Sequence, residues 1–253
     1  MGRSEDARPL PQITGATPRE VYFEALGLWR KADRLASEVG GAVRASPPSA
    51  PGLTEIVPGH VLAVIDATLA RLDDAKVRIG LGASVPEPSI EDERQPADVL
   101  VTLMKTSREL SRALERPFTP SDVFEQVSLA LAYATRIAQA RGVWSPSPAA
   151  YERRRRPADC YERLEVCLSL AGATIERAGH RSLHERGTPS EVQPGDVFDL
   201  ACLVVGELAF LHAITPGAVP VHAFEPAWHG HRLPAHVDQL ARTLESQLES
   251  LQA

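Results

Sequence analysis

Histidines are concentrated in one short segment near the C-terminal end of the chain. Four of the eight lie there, and neutral imidazole nitrogens commonly bind zinc, nickel or copper in proteins. The segment also holds four prolines, and it has neither a helical His-x-x-x-His spacing nor an interleaved cysteine. A proline-braced tail packed by Phe224 and Trp228 is therefore the favoured interpretation, with a site for zinc or another transition metal as the alternative; no other cofactor is expected. The candidate ligands are His222, His229, His231 and His236.

A run of four arginines precedes the fifth predicted helix. Adjacent guanidinium groups can bind phosphates or an acidic partner. Runs this short are more often solvated linkers, and the formal net charge of −6 argues against nucleic acid as a partner. The candidate anion-binding residues are Arg153, Arg154, Arg155 and Arg156.

The three cysteines are too few for a disulfide framework. Cys160 and Cys167 are seven residues apart in one predicted helix. This spacing separates them by about 10 Å along the axis, too far for a disulfide bond. We expect buried thiols that behave as small apolar side chains. The alternative is a reactive thiol site completed by Cys202.

A prolyl phrase that recurs six times, described below, has an acidic residue two places after its proline in five copies. Such acids could form a metal cluster, but a carboxylate near a helix start also stabilises the positive end of the helix dipole. In an up-and-down bundle, successive helix starts alternate between opposite ends, so the acids would not converge. We therefore favour helix-end stabilisation. The acids are Glu20, Asp98, Asp122, Asp159 and Asp196; His60 takes the same place in a further copy, where we expect a neutral, partly exposed ring.

Common catalytic motifs are missing from the sequence. There is no glycine-rich phosphate loop, no Gly-x-Ser-x-Gly and no His-Glu-x-x-His. Catalytic residues can be scattered along a chain, so this argument is a weak one. It favours a protein that is not an enzyme.

The elements that would position these residues begin at six copies of a prolyl phrase, in which Val or Cys stands three places after the proline. The six prolines are Pro18, Pro58, Pro96, Pro120, Pro157 and Pro194. Proline is favoured at the first position of a helix, where its missing N–H group would have no partner. Each copy opens a helical pattern. The predicted helices span about 18–39, 58–79, 96–116, 120–141, 157–178 and 194–213, with a seventh over about 235–252.

Each copy of the phrase also carries a stripe of apolar, small or threonine residues. They stand three, seven, ten, fourteen and seventeen places after the proline, which puts them on one side of a helix. At the tenth place, four of the six residues are small or weakly polar. If they face one another, they line a central cavity for a small apolar ligand or water; close packing is the alternative. They are Thr68, Thr106, Ala130 and Cys167.

The sequence therefore predicts an all-α protein, with six long pseudo-repeated antiparallel helices in one or two bundles and a C-terminal helix. The pairs are expected to be helices 1–2, 3–4 and 5–6. The predicted organisation is a flexible segment 1–16, helices 1–4 in 17–141, a linker 142–156, helices 5–6 in 157–213, and a His/Pro-rich segment with the last helix in 214–253.

Composition places the chain among globular proteins. Hydrophobic residues make up 43% and aromatic residues only 5%, so aliphatic side chains must fill the core. No segment is predicted to span a membrane, because the most apolar one, Val197 to Ile214, contains Asp199 and Glu207. The N-terminus lacks the apolar core of a signal peptide. We expect a soluble protein, either cytoplasmic or exported after removal of a signal.

Three functional hypotheses follow. The leading one is a non-enzymatic module that binds a protein or a small apolar ligand through helix faces and long loops. The second is a metal-dependent sensor or enzyme that uses the histidine segment. The third is a structural homo-oligomer that associates through outer apolar residues such as Tyr22, Phe124 and Tyr161.

Overall fold

The computed structural model describes residues 12–41, 43, 45, 48, 55–82, 94–113, 118–143, 146–186, 191–221 and 231–252. Helices dominate these residues, which confirms the all-α class. In chain order the elements are β1 (Gln12–Thr14), α1 (Pro18–Gly40), α2 (Pro58–Arg78), α3 (Pro96–Ala113), α4 (Pro120–Ala140), α5 (Pro157–Arg177), β2 (His184–Arg186), α6 (Pro194–Ile214) and α7 (Pro234–Ser250).

Every described helix begins at a proline, including α7, whose start Pro234-Ala-His-Val is a seventh copy of the phrase. The third helical residue turns back to accept a hydrogen bond from the N–H group of the residue before the proline. In α4, for example, Thr119 N donates to Asp122 Oδ2 over 2.8 Å. In α2 and α7 an imidazole does the same, since Val57 N donates to His60 Nδ1 and Leu233 N to His236 Nδ1. The phrase is thus a helix start with its own cap.

The chain divides into two compact units. Residues Ala16–Pro117, with α1 to α3, form what we call the three-helix unit. Met1–Gly15 and Phe118–Ala253, with α4 to α7, form the four-helix unit. The division therefore lies between 117 and 118, and not at the predicted linker 142–156. Helix α4 groups with α5 to α7 because it packs on α6 and α7.

A short β-ribbon belongs to the four-helix unit and was not predicted. β1 pairs antiparallel with β2, with Ile13 opposite Glu185, and the Ile13 side chain is buried. Residues 12–14 are therefore a strand, although the sequence predicted a flexible segment over 1–16. Three residues are too few to show a period-two pattern.

The helices of the four-helix unit run parallel to one another. Between α5 and α7, Cys160 Sγ donates to Pro234 O and Cys167 Sγ to Ala241 O, so both partners advance together by seven residues. Between α4 and α6, the Phe118 ring stacks on Phe198 near the helix starts, and Tyr133 meets His212 near their ends. The starts of all four helices line one recess, described below. The prediction of antiparallel neighbours, including the pair 5–6, is wrong.

The first two helices of the three-helix unit are also parallel. Arg71 Nε donates to Asp33 Oδ1 over 2.8 Å, and Ala36 lies with Ala75 in one buried cluster, so again both partners advance together. The predicted hairpin of helices 1 and 2 is therefore wrong. The predicted hairpin of helices 3 and 4 joins the two units and stays a prediction.

Long connections explain this arrangement. The segments that join successive parallel helices of the chain have 16 to 19 residues, for example 141–156 and 215–233. A helix of 21 residues is about 31 Å long, and 16 extended residues reach about 50 Å, so each connection can return to the end where the previous helix began.

The predicted stripes form the core of the four-helix unit. All fifteen stripe residues of α4, α5 and α6 are buried, from Val123 to Leu211. The same places in α7 are also buried; they hold Val237, Ala241, Leu244, Leu248 and Leu251. Each helix packs on two others, in the ring order α4, α6, α5, α7.

Helix α6 is the most enclosed of the described helices, as its composition predicts. Every residue from Asp196 to Leu211 is buried. Among the described residues it is the one helix long and apolar enough to cross a membrane, and 83% of its most apolar window is buried inside the protein. Burial on this scale is typical of a core helix.

Candidate functional site

Helix α2 carries two apolar stripes on different sides. One is buried and includes Val61, Val64, Thr68 and Ala75. The other alternates steps of three and four residues along the adjacent side, about 100° around the helix from the first, as heptad core positions do. We call it the α2 outer face; it consists of Leu62, Ile65, Leu69, Leu72, Lys76 and Ile79.

Much of the α2 outer face is exposed. Leu62 is 57% exposed, Leu69 54% and Ile79 45%, while Ile65 and Leu72 are half-buried. Of the twelve large apolar residues that are exposed in the described part of the chain, Leu62, Leu69 and Val77 lie on α2, and Ile79 follows its last residue. Exposed apolar residues scattered singly need no explanation, but a concentration along one helix indicates a surface that binds something.

The α2 outer face lies on a helix with one helical neighbour. In the four-helix unit every helix packs on two others, whereas α2 packs on α1 and makes at most marginal contact with any other described helix. Arg71 fastens α2 to α1 through Asp33, a carboxylate whose side chain is only 6% exposed. The second stripe therefore lacks the helical cover that the stripes of α4 to α7 have.

Charged residues lie within the α2 outer face, at Lys76, and along its border. Lys76 Nζ lies 3.1 Å from Asp73 Oδ1, and Arg78 bonds Asp74 one turn before it. Asp66 is exposed at the edge of the stripe. The α2 outer face contains no nucleophile next to a base. It is an apolar surface with a polar border, as binding interfaces are.

A small recess lies where the four parallel helices begin. The recess has a volume of ≈ 50 Å³ and its lining is entirely apolar. Space of this size holds a few water molecules or one small aliphatic side chain. The lining residues are Pro120, Val123, Pro157, Cys160, Pro194, Val197, Pro234 and Val237.

Three of the five helix-start acids, Asp122, Asp159 and Asp196, lie at the same end of the four-helix unit, contrary to the expectation from an up-and-down bundle. Each is nevertheless occupied by its own helix: Asp159 Oδ2 accepts from Arg156 N over 2.7 Å, and Asp196 Oδ2 from Gln193 N over 2.8 Å. Their role as helix caps is confirmed. Within the described ranges, no group of three or more His, Cys, Asp or Glu side chains is placed to hold a metal ion.

The histidine segment is only partly described. His222 and His229 lie outside the described residues. His231 is exposed, and His236 caps α7 through Nδ1 while its ring contacts Tyr151. The metal site therefore stays a prediction, and one of its four ligands has a structural role.

The arginine run divides between two roles. Arg155 bonds Glu152 and lies 3.2 Å from the buried carboxylate of Asp238, which also pairs with Arg242. This network fastens the connection before α5 to helix α7. Arg153, Arg154 and Arg156 are exposed, and Arg156 precedes the first residue of α5. Because Arg155 is used in this network, the candidate anion site keeps three exposed arginines, and it stays a prediction.

The four residues predicted to line a central cavity are divided between the two units, so the cavity stays a prediction. Thr68 and Thr106 belong to one unit, and Ala130 and Cys167 to the other. Thr106 is exposed because α3 buries the adjacent stripe through Leu103, Ser107 and Leu110. The hydroxyl groups of Thr68 and Thr106 donate to carbonyl oxygens one turn earlier in their own helices.

The three thiols are free and buried, as expected. Burial raises the pKa of Cys160 to about 12, with a further contribution from the carboxylates of Asp238 and Asp159. Burial likewise raises the pKa of the Cys167 thiol. Reactive cysteines have lowered pKa values, so Cys160 and Cys167 are structural.

The outer residues chosen from sequence for self-association are unsuitable for it. Tyr22 and Tyr161 are buried, and Phe124 is half-buried with the Arg232 guanidinium 4.1 Å from its ring centroid. Sequence reasoning missed the α2 outer face instead. Its signal was present, because Ile65 and Leu72 of the predicted stripe also continue an alternation of threes and fours from Leu62. These two residues are half-buried, whereas the other three predicted stripe residues of α2 are buried.

Comparison of the chain with protein-family models, curated proteins and solved structures finds no match.

Proposed function

We propose that this protein is a non-enzymatic interaction module that binds another polypeptide through the α2 outer face. The observation that carries the proposal is the exposure of Leu62, Leu69 and Ile79 on a helix covered along one side only. An extended apolar stripe with a charged border suits the apolar face of a second helix better than a compact small molecule. The ≈ 50 Å³ recess of the four-helix unit is well below the several hundred Å³ of typical ligand pockets.

The roles of the helix-start carboxylates and of two cysteine thiols further support this function. The carboxylates at the helix starts are used as caps, and the Cys160 and Cys167 thiols are held neutral by burial. The remaining alternative, metal binding by His222, His229, His231 and His236, would be tested by titration calorimetry with zinc.

Site-specific photo-cross-linking tests the proposal. A photoreactive phenylalanine analogue replaces Leu69 in one variant and Val166, a 40% exposed residue of α5, in the control variant. After illumination in the cells that make the protein, we expect an adduct with a polypeptide from position 69 and none from position 166. The proposed function would be contradicted if position 69 formed no polypeptide adduct, or if both positions formed adducts equally.

A further inference from the structure

The α2 outer face has the heptad pattern of a coiled-coil helix. Leu62, Leu69 and Lys76 fall on one heptad position, and Ile65, Leu72 and Ile79 fall on the other. The neighbouring buried stripe is already used against α1. A helix with two apolar stripes requires two neighbours, and the described chain supplies one.

In the four-helix unit, helices that start with the prolyl phrase cover one another. In the four-helix unit, the stripe of each such helix is covered by two others that run in the same direction, with their starts at one end. The chain therefore contains the kind of helix that fits the α2 outer face. A second copy of the chain presents the identical face in the correct length.

We propose that the α2 outer face is a self-association surface, on which α2 of one copy packs in parallel against α2 of a second copy across a twofold axis. This inference rests on the proposed function and names its partner. In the parallel alignment each heptad residue faces its own counterpart, so Leu62 meets Leu62 and Leu69 meets Leu69 across the axis.

Charge favours the parallel alignment over the antiparallel one. Asp66 and Asp73 share one edge of the stripe, seven residues apart. In an antiparallel pair, Asp66 of one copy would approach Asp73 of the other, and like charges would meet. In the parallel pair a twofold axis carries the two acidic edges to opposite sides. Lys76 meets Lys76, and each of these lysines is paired with Asp73 of its own helix over 3.1 Å.

The arrangement predicts which residues strengthen or weaken association. A lysine at a heptad core position limits stability while it selects the register, so Lys76→Leu should tighten the dimer about tenfold. Leu69→Lys places a charge in the apolar centre of both copies and should weaken the dimer at least about 100-fold. Val166→Lys is the matched control on α5 and should leave the association unchanged.

Sedimentation velocity of the full chain over a range of concentrations measures these shifts, with circular dichroism to verify that each variant is folded. A dimer in the wild type that Leu69→Lys weakens and Lys76→Leu tightens is the expected result. A wild type that stays monomeric at about 100 μM, or a dimer that is insensitive to Leu69→Lys, would overturn the inference.

Oxidative cross-linking tests the alignment independently. The native thiols are buried, so a cysteine introduced on the surface is the reporter. Leu62→Cys and Leu69→Cys should each form a disulfide-linked dimer, and Val166→Cys should not. Cross-linking at 69 alone would overturn the parallel alignment. A photo-adduct from position 69 with a different polypeptide would remove self-association while the proposed function stands, whereas no adduct at all would remove both.

Discussion

At the scale of single residues, environment decides what a side chain can do. Cys160 and Cys167 have the residue type of a nucleophile, but burial holds each thiol neutral and each Sγ donates to a carbonyl oxygen of α7. His236 has the residue type of a metal ligand, but its Nδ1 accepts the hydrogen bond that caps α7. All three residues stabilise the ends and the contacts of helices.

Thiol reactivity follows directly from these positions. With the pKa of Cys160 at about 12, only about one of its thiols in 10⁴ is ionised at pH 8. We expect a disulfide reagent such as Ellman's to label none of the three cysteines rapidly in the native protein, because all are buried. The same reagent should label three thiols in guanidinium chloride, which is the control. Two or three fast-reacting groups in the native protein would contradict the structural role.

At the scale of helices, parallel packing requires compensation, because it brings like ends of helix dipoles together. Asp122, Asp159 and Asp196 place negative charge at the shared start of the four-helix unit. The returning connections are fastened along the helices. Ala149 N donates to Thr243 Oγ1 over 3.0 Å, and Gln239 Nε2 donates to Ala149 O over 2.8 Å.

Helix direction can be measured by pulsed electron resonance between spin labels. Ser169 lies in the second half of α5, Glu249 near the end of α7, and His231 before its start; all three are exposed. Because α5 and α7 are parallel, with Cys167 level with Ala241, position 169 is about 9 Å along the axis from 249 and about 18 Å from 231. The 169–231 distance should therefore exceed the 169–249 distance by roughly 8 Å. The labels are attached to introduced cysteines, and unmodified protein treated with the same reagent is the control. A shorter 169–231 distance would show antiparallel helices.

At the scale of the whole molecule, similar helix starts build two different units. Four copies of the prolyl phrase enclose a core in which the stripe residues of every helix are buried. Three copies in the other unit leave α2 with an uncovered apolar stripe. With fewer helices in its unit, one apolar stripe of α2 stays exposed, and this stripe is the proposed binding surface.

Thermal unfolding should therefore depend on protein concentration. If a second copy binds the folded three-helix unit, mass action stabilises it, so the Tm of the wild type should rise by a few degrees between about 1 and 100 μM. The Leu69→Lys variant should have a Tm that does not change over this range, and Val166→Lys should behave like the wild type. Scanning calorimetry or fluorimetry at several concentrations makes the measurement. An equal slope for Leu69→Lys and the wild type would contradict the prediction.

Local features were predictable from the sequence because their causes lie within a few residues. Proline at the first helical position, an acceptor two residues later and a glycine after the last turn are sufficient to set helix limits. Gly41, Gly80, Gly142 and Gly179 all have positive φ where the predicted helices end. The buried stripes of α4 to α6 were predictable for the same reason, since periodicity is a property of one helix.

The sequence alone determined that this protein is built from proline-started helices with apolar stripes, because backbone and dipole effects act over a single turn. Only the tertiary structure decided that neighbours run parallel, that α4 belongs with α5 to α7, and that one stripe of α2 remains exposed. Those outcomes depend on how connections of 16 to 19 residues return along the helices and on which stripe finds a neighbour. A stripe looks the same in sequence whether a second helix covers it or not.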